Sequence, residues 1–217
     1  RVRHVHHVAV AHPERLGDEQ RVRVAQVDAV TQRHVEADAR HQLEARETAA
    51  GAALREAGHE VETVLADDIL SGLLRDCRQC RMPDGECGID DGFRRAFFGS
   101  YLPADGFIAA SPIYWYGVSA QLKAFFDRMF CYVAASHPQS ASVVAQMTGK
   151  RIGLVLSSEE TYPTVSSGPQ HQFQEFSRYT RSTFVGVVHG HGNARSDIHR
   201  DPSDPVARAR HFGRTFF

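Results

Sequence analysis

Residues 105–130, DGFIAASPIYWYGVSAQLKAFFDRMF, are the part of this sequence that determines the fold. The apolar run Phe107–Ala110 is too short for a helix and suits a strand that is covered on both faces, as in a parallel sheet. Because proline cannot donate a hydrogen bond to a neighbouring strand, we expect Ser111 and Pro112 to end this strand. The pattern therefore predicts a central strand followed by a loop.

The loop contains three adjacent aromatic residues and leads into an amphipathic helix. Tyr114, Trp115 and Tyr116 precede Gly117, and Ser119 is of the residue type that caps a helix N-terminus. After Ser119, apolar side chains recur at intervals of three and four residues, the period of one helix face: Leu122, Phe125, Phe126, Met129 and Phe130. The unit is therefore a strand, an aromatic loop and a helix.

The position of the aromatic loop allows two interpretations. In open α/β sheets, ligands bind beyond the carboxyl ends of the strands, where this loop lies, and a flat ring suits a wall of aromatic side chains. Alternatively, the three rings pack on the end of the sheet and only fill space. Local physical chemistry leaves both interpretations open.

The segment SPIYWYGVSAQLKAFFDR resembles the signature of the NAD(P)H-dependent FMN reductase family of flavodoxin-like proteins, and the resemblance extends over about residues 49–217. It implies an α/β fold, a flavodoxin-like three-layer sandwich with a central parallel sheet of about five strands. It also implies FMN as the cofactor and NAD(P)H as the co-substrate. The residues that the resemblance places beside FMN are Ser111, Pro112, Ile113, Tyr114, Trp115, Tyr116, Gly117, Ser157, Ser158 and Glu159. For the last three, a routine strand-to-helix turn is the alternative.

Strands alternate with helices in the rest of the chain after residue 49, which predicts a parallel sheet with right-handed crossovers and helices on both faces. Short apolar or alternating runs predict strands at 61–66, 151–157 and 183–189. Helices are expected at 49–58, about 93–102, 173–179 and from Pro205, with irregular segments at 67–74 and 137–149.

Length and charge limit the class of protein. A chain of 217 residues suits a single domain, and 25 Lys and Arg against 26 Asp and Glu leave a net charge of −1. That balance provides no field to attract nucleic acid or an anionic membrane. No apolar stretch approaches the ~20 residues of a membrane helix, and no signal peptide is evident. We expect one cytoplasmic domain over residues 1–217 that binds neither nucleic acid nor membranes.

Residues 1–45 form an atypical segment of uncertain structure. They contain no Ile, Phe, Tyr, Trp, Lys, Ser or Asn, and Gly17 and Thr31 are their only glycine and hydroxyl residue. A phosphate needs several convergent N–H or O–H donors, so we expect this segment not to supply a working FMN phosphate site. A helix is possible over residues 35–54, and a short strand at Val5, Val8 and Val10 or at Val22, Val24 and Val27.

Three cysteines, Cys77, Cys80 and Cys87, form a Cys-x-x-Cys pair and a third thiol seven residues on. Iron–sulfur clusters and zinc usually take four ligands, and only three are present. The stretch DCRQCRMPDGECGIDDGF resembles the cysteine loop of iron–sulfur flavoproteins and their cluster-free relatives, but Pro83 stands where those with a cluster have a further cysteine. A cluster is therefore not expected. A redox-active Cys77–Cys80 pair and inert thiols or subunit contacts are the alternatives.

Two histidines, His189 and His191, end the last predicted strand between glycines and could border a ligand. A lone histidine is more often a structural residue, so both interpretations stay open.

The resemblance implies an FMN-dependent NAD(P)H oxidoreductase that reduces a small acceptor such as a quinone, a free flavin, a nitro compound or a metal ion. The cofactor carries the chemistry, so no catalytic side chain is required. The alternatives are a flavodoxin-like electron carrier, a non-catalytic FMN-binding module, and a chain that binds no cofactor. The resemblance also implies a homodimer or homotetramer in which a neighbouring subunit completes the site.

Overall fold

The computed structural model describes residues 23–28, 49–75, 81–192 and 197–217, and of residues 23–28 the backbone alone. At its centre is a sheet of five parallel strands in the order β2-β1-β3-β5-β6. This is the strand order of flavodoxin-like sheets, so the predicted fold class is confirmed. The strands are β1 Arg23–Asp28, β2 Glu60–Leu65, β3 Gly106–Tyr114, β5 Arg151–Ser158 and β6 Thr183–His191, and the short β4 Gly117–Val118 pairs antiparallel with β3.

Helices connect the strands and cover both faces of the sheet. They comprise residues 49–56, Ala66–Ile69, Phe93–Arg95 continued by the π-helix Ala96–Tyr101, Ala120–Val133, Ser140–Met147, Ser167–Tyr179, the 3-10 turn Asp197–Arg200 and Pro205–Arg214. Of the helices that the structure describes, none is long and apolar enough to span a bilayer.

Successive residues of the middle strand point into two separate cores. On one face, Phe107 stacks with Phe125 of the Ala120–Val133 helix, with ring centroids 6.4 Å apart. On the other face, Ile108 packs with Leu54 and Phe216. Because both faces are covered, the strand has a continuous apolar run rather than an alternating pattern.

The expectation that Ser111 and Pro112 end the central strand is wrong. β3 continues to Tyr114, and Pro112 lies opposite Ser157 of β5. Within the described residues, the pairing of β3 with β1 ends at Ala110. Among the described residues, Pro112 therefore lies beyond the pairing of β3 with β1, and a missing N–H is tolerated where pairing on one side has ended.

Two segments that were expected to be irregular contain helices, namely Ala66–Ile69 and Ser140–Met147. The second is recognisable only in three dimensions, because Val143 and Met147 are its buried residues and the rest of it is polar or small. The packing of Val143 and Met147 on the core therefore stabilises a helix that the sequence of this segment indicates only weakly.

Several predicted boundaries are confirmed. The first helix ends before Gly58, whose φ of +90° suits glycine, and the Ser119 Oγ accepts a hydrogen bond from the Leu122 N–H at 3.3 Å. β1 realises the strand proposed at Val22, Val24 and Val27, whereas the alternative at Val5, Val8 and Val10 lies outside the described residues.

Candidate functional site

The carboxyl ends of β3, β5 and β6 lie side by side and bring the predicted site residues to one edge of the sheet. Pro112 is opposite Ser157, and Ser157 is in turn opposite Gly190. Neighbouring strands are ~4.8 Å apart, so the aromatic loop after β3 adjoins the exit of β5 at Ser157–Glu159. Whether these residues bind FMN stays a prediction.

The aromatic loop is a two-residue β-hairpin. Tyr114 of β3 lies opposite Gly117 of β4, and the two residues between them, Trp115 and Tyr116, have φ angles of +47° and +62°. Positive φ at both central positions is the pattern of a type I′ turn, which normally contains Asn and Gly. A bulky residue in this conformation costs about 1–2 kcal/mol, and strain of this kind is typical of functional sites.

The aromatic rings of the hairpin face solvent. The exposed fraction is 95% for Trp115, 51% for Tyr114 and 53% for Tyr116. A ring that filled space on the end of the sheet would be buried, so that interpretation does not apply to Trp115. Adjacent exposed aromatic side chains are typical of a surface that binds a ligand or another protein.

Tyr116 fixes the hairpin to the segment that follows β5. Its ring contacts that of Tyr162, and a hydrogen bond between the two side chains raises the pKa of Tyr162 to about 12. Its carbonyl oxygen approaches Gly168 so closely that a Cβ at Gly168 would lie 2.4 Å from it. Sequence reasoning missed this role of Gly168; a glycine in the first turn of a helix was the available signal.

Ser111 links the hairpin to the start of the next helix. The buried Ser111 hydroxyl donates to the Pro112 carbonyl at 2.7 Å and accepts from the Ser119 N–H at 2.9 Å. The Ser111 side chain therefore positions the loop through these two internal hydrogen bonds.

The exit of β5 provides the polar part of the site. Ser157 and Ser158 are buried, whereas Glu159 is exposed. The Ser158 hydroxyl lies 2.7 Å from the carbonyl oxygen of Glu160 and 2.8 Å from Nε2 of His189. The Glu160 carbonyl was not among the predicted groups, because a backbone acceptor leaves no signal in the sequence.

The cysteine loop lies against the Ala120–Val133 helix. Arg128 of that helix is buried, pairs with the buried Asp91 carboxylate, and donates a hydrogen bond to the Cys87 Sγ at 3.7 Å. Cys77 and Cys80 lie outside the described residues. In the part of the chain that the structure describes, no group of three or more His, Cys, Asp or Glu side chains is arranged to hold a metal. The expectation that Cys77, Cys80 and Cys87 do not hold a complete cluster therefore stays a prediction.

Comparison with known proteins gives a family match over most of the chain. The model of a family with the flavodoxin-like fold matches residues 8–203. The match includes both loops of the candidate site, the cysteine loop and much of the atypical N-terminal segment.

Two curated proteins are similar to parts of the chain. YwqN of Bacillus subtilis (strain 168), assigned as an NAD(P)H-dependent FMN-containing oxidoreductase, is 32% identical over 104 residues, which are 48% of this chain and 56% of YwqN. The iron-sulfur flavoprotein of Methanosarcina thermophila is 40% identical over 81 residues, which are 36% of this chain and 41% of that protein. The chain spans about half the length of the curated relatives it matches.

A solved structure agrees with the fold over nearly its full length. The Trp repressor binding protein from Bacillus subtilis superposes with a TM-score of 0.58 at 19% sequence identity, covering 89% of this chain and 96% of that one. At this level of identity the likeness shows the fold alone.

Proposed function

Because the chain belongs to the family with the flavodoxin-like fold, we propose that it is an FMN-dependent oxidoreductase that takes electrons from NAD(P)H and reduces a small acceptor. The name of YwqN states the same cofactor and reductant for that protein. A quinone, a free flavin, a nitro compound or a metal ion is the class of acceptor proposed.

The exposed aromatic hairpin is the observation that supports this proposal most. Trp115 is 95% exposed, and its positive φ strains the turn. Neither the exposure of a large apolar ring nor the backbone strain stabilises the fold, and both are typical of a functional site. The isoalloxazine ring of FMN is flat and aromatic, and stacking beside Trp115 would remove apolar surface of both rings from water. The carboxyl edge of an open parallel sheet is also where such a ligand binds.

The described residues fit the ring half of FMN. Tyr114, Trp115 and Tyr116 offer an aromatic wall, and the exit of β5 at Ser157–Glu159 lies beside it. The phosphate half of FMN would bind at the connection after β1, which lies outside the described residues. Its composition predicts a weak phosphate site, so we expect the ring to provide most of the affinity.

FMN, when bound, supplies the hydride and electron chemistry between nicotinamide and acceptor. The residues of this chain orient the ring and exclude water from the face that lies on the hairpin. Gly168 and Tyr162 hold the hairpin in the required position, through the close approach to the Tyr116 carbonyl and through the side-chain hydrogen bond.

The proposal is tested by measuring FMN affinity and NAD(P)H oxidation with a quinone for the wild type and Trp115→Ala. A stacked aromatic pair contributes about 0.5–1.5 kcal/mol, so the FMN Kd should rise about two- to tenfold. Tyr179→Ala is the matched control, because Tyr179 is 65% exposed at the opposite end of the Ser167–Tyr179 helix. Unchanged affinity and turnover in Trp115→Ala would place the site elsewhere. FMN binding without any NAD(P)H oxidation would favour the electron carrier.

The same surface supports a proposal on assembly. The exposed face of Trp115 is open to a second copy of the chain, and proteins that this chain resembles complete the site in that way. We expect a homodimer or homotetramer by size-exclusion chromatography with light scattering. A monomer with full NAD(P)H oxidation would contradict this part of the proposal.

A further inference from the structure

Two histidine rings lie next to each other beside the candidate site. His189 and His191 end β6, and their ring centroids are 4.4 Å apart in an edge-to-face arrangement. His189 Nε2 lies 2.8 Å from the Ser158 hydroxyl, and His191 Nδ1 lies 2.8 Å from the carbonyl oxygen of Glu160. Both rings therefore contact the exit of β5, which is one wall of the site.

Hydrogen-bond roles determine where the proton of each neutral ring is. The Glu160 carbonyl can only accept, so the Ser158 hydroxyl and His191 Nδ1 both donate to it. A hydroxyl has a single hydrogen, so His189 Nε2 must donate to the Ser158 oxygen. In the neutral state His191 consequently has its hydrogen on Nδ1, and its Nε2 has a lone pair that can take up a proton.

We propose that His191 is the proton-donating residue of the site, giving the proton on its Nε2 to the acceptor as the acceptor is reduced. This inference rests on the proposed function. A quinone takes up two electrons and two hydrogens: NAD(P)H provides the electron pair and one hydrogen as a hydride by way of FMN. The imidazolium of His191 provides the second hydrogen as H⁺, and solvent reprotonates Nε2. NAD(P)⁺ and the hydroquinone are the products, so charge and hydrogen balance.

The position of His191 suits this role. β6 is two strands from β3, a lateral distance of ~10 Å, which a bicyclic quinone beside the hairpin can bridge. The hydrogen bond from Nδ1 to the Glu160 carbonyl fixes the ring, and the ring is partly exposed, so solvent reaches it. Glu160 lies two residues before Tyr162, which contacts the hairpin.

Titratable and charged residues from three segments lie near His191. The backbone N–H of His191 donates a hydrogen bond to the Asp201 carboxylate at 2.7 Å. Burial raises the pKa of Asp201, but hydrogen bonds from the backbone N–H groups of Ser203 and His191 outweigh it, so the pKa is lowered and the carboxylate stays ionised. Among the described residues, the titratable and charged groups near His191 are His189, Glu160, Asp197, Asp201 and Arg208.

The tautomers can be tested without any activity. Long-range ¹H–¹⁵N NMR of histidine-labelled protein without flavin should show His191 as the Nδ1–H form and His189 as the Nε2–H form at alkaline pH. The chain has 13 histidines, so the signals are assigned by their loss in His191→Asn and His189→Gln. A His191 signal of the Nε2–H form would overturn the proposal.

The catalytic step is tested with two electron acceptors. A naphthoquinone, which is bicyclic, needs protons when it is reduced, whereas ferricyanide takes one electron and no proton. His191→Asn keeps an amide N–H at the position of Nδ1, and with it the bond to Glu160, but has no group that titrates. It should slow naphthoquinone reduction about tenfold or more, leave ferricyanide reduction unchanged, and be rescued by added imidazole. The exposed His211, on the Pro205–Arg214 helix, provides the control His211→Asn, which should reduce both acceptors at the wild-type rate.

Each other outcome has a definite meaning. Equal slowing with both acceptors, or no slowing with either, would overturn the role of His191 as proton donor. A wild-type protein that reduces neither acceptor would overturn the proposed function and this step with it, while the NMR experiment still decides the tautomers.

Discussion

The strained hairpin leads to an unusual prediction: replacing Trp115 by glycine should make the protein more stable. Trp115 has a φ of +47°, which L-residues with a side chain adopt at a cost and glycine adopts freely. Its side chain is 95% exposed, so the replacement removes little packing. Stability and flavin binding should therefore change in opposite directions at this residue.

The magnitude follows from two opposing terms. Relief of the left-handed conformation contributes about 1–2 kcal/mol. The greater entropy of glycine in the unfolded chain takes back about 0.5–1 kcal/mol. Trp115→Gly should therefore be more stable than Trp115→Ala by up to about 1.5 kcal/mol, equivalent to a rise in Tm of at most ~3–6 °C for a protein of this size.

The assay is urea unfolding of three proteins without flavin, with Trp115→Ala as the reference that lacks the ring but keeps the strain. Unfolding should be followed by circular dichroism, because both variants lose the single tryptophan. We expect Trp115→Ala within about 0.5 kcal/mol of the wild type and Trp115→Gly above it. A Trp115→Gly protein less stable than Trp115→Ala would refute the reasoning, since the turn would then not be strained.

Three further predictions concern two buried charged groups and the contact of Gly168 with the hairpin. Arg128→Met leaves the buried Asp91 carboxylate without its ion-pair partner, so the free energy of unfolding should fall by about 3–5 kcal/mol. The double variant Arg128→Met/Asp91→Leu should recover part of this loss. No recovery would contradict this account. Burial lowers the pKa of Lys150 to about 8, against about 10.4 in the unfolded chain. Below pH 8 Lys150 is protonated in both the folded and the unfolded state. Between pH 8 and 10 the unfolded state binds more protons at Lys150 than the folded state, so the stability of the wild type relative to Lys150→Met should rise with pH over this range. A difference that stays flat would show that the pKa is not lowered. Gly168→Ala places a Cβ 2.4 Å from the Tyr116 carbonyl oxygen of the hairpin and should weaken FMN binding about tenfold. Gly99→Ala is the control and should leave the affinity unchanged, because a Cβ there meets nothing within 4 Å. Equal FMN affinities of the two variants would show that the hairpin is not part of the site.

The sheet could be predicted from the sequence because its signals are local. The apolar run at Phe107–Ala110 and the helical period after Ser119 each follow from a few neighbouring residues. The predicted end of β3 was wrong because it depends on where another strand stops pairing. Proline ends a strand that is paired on both sides, whereas Pro112 lies beyond the pairing of β3 with the described residues of β1.

The candidate site could be located but not built from the sequence. Resemblance identified the aromatic residues, yet a type I′ turn formed by Trp115 and Tyr116 has no local signal, because the residues that favour this turn are absent. The contact of Gly168 with the hairpin joins positions far apart in the chain. The tautomer of His191 likewise follows from a carbonyl that only the folded structure brings to it.

The most direct test of the central claim uses the single tryptophan of the chain, Trp115, as its own reporter. Riboflavin and FMN should be titrated side by side while Trp115 emission is recorded, with bound flavin measured independently by ultrafiltration. The account predicts saturable quenching by both ligands, with dissociation constants within about tenfold, or ~1.4 kcal/mol, of each other, because the ring rather than the phosphate supplies the affinity. Flavin that is retained without any change in Trp115 emission, or no retention of either flavin, would contradict it.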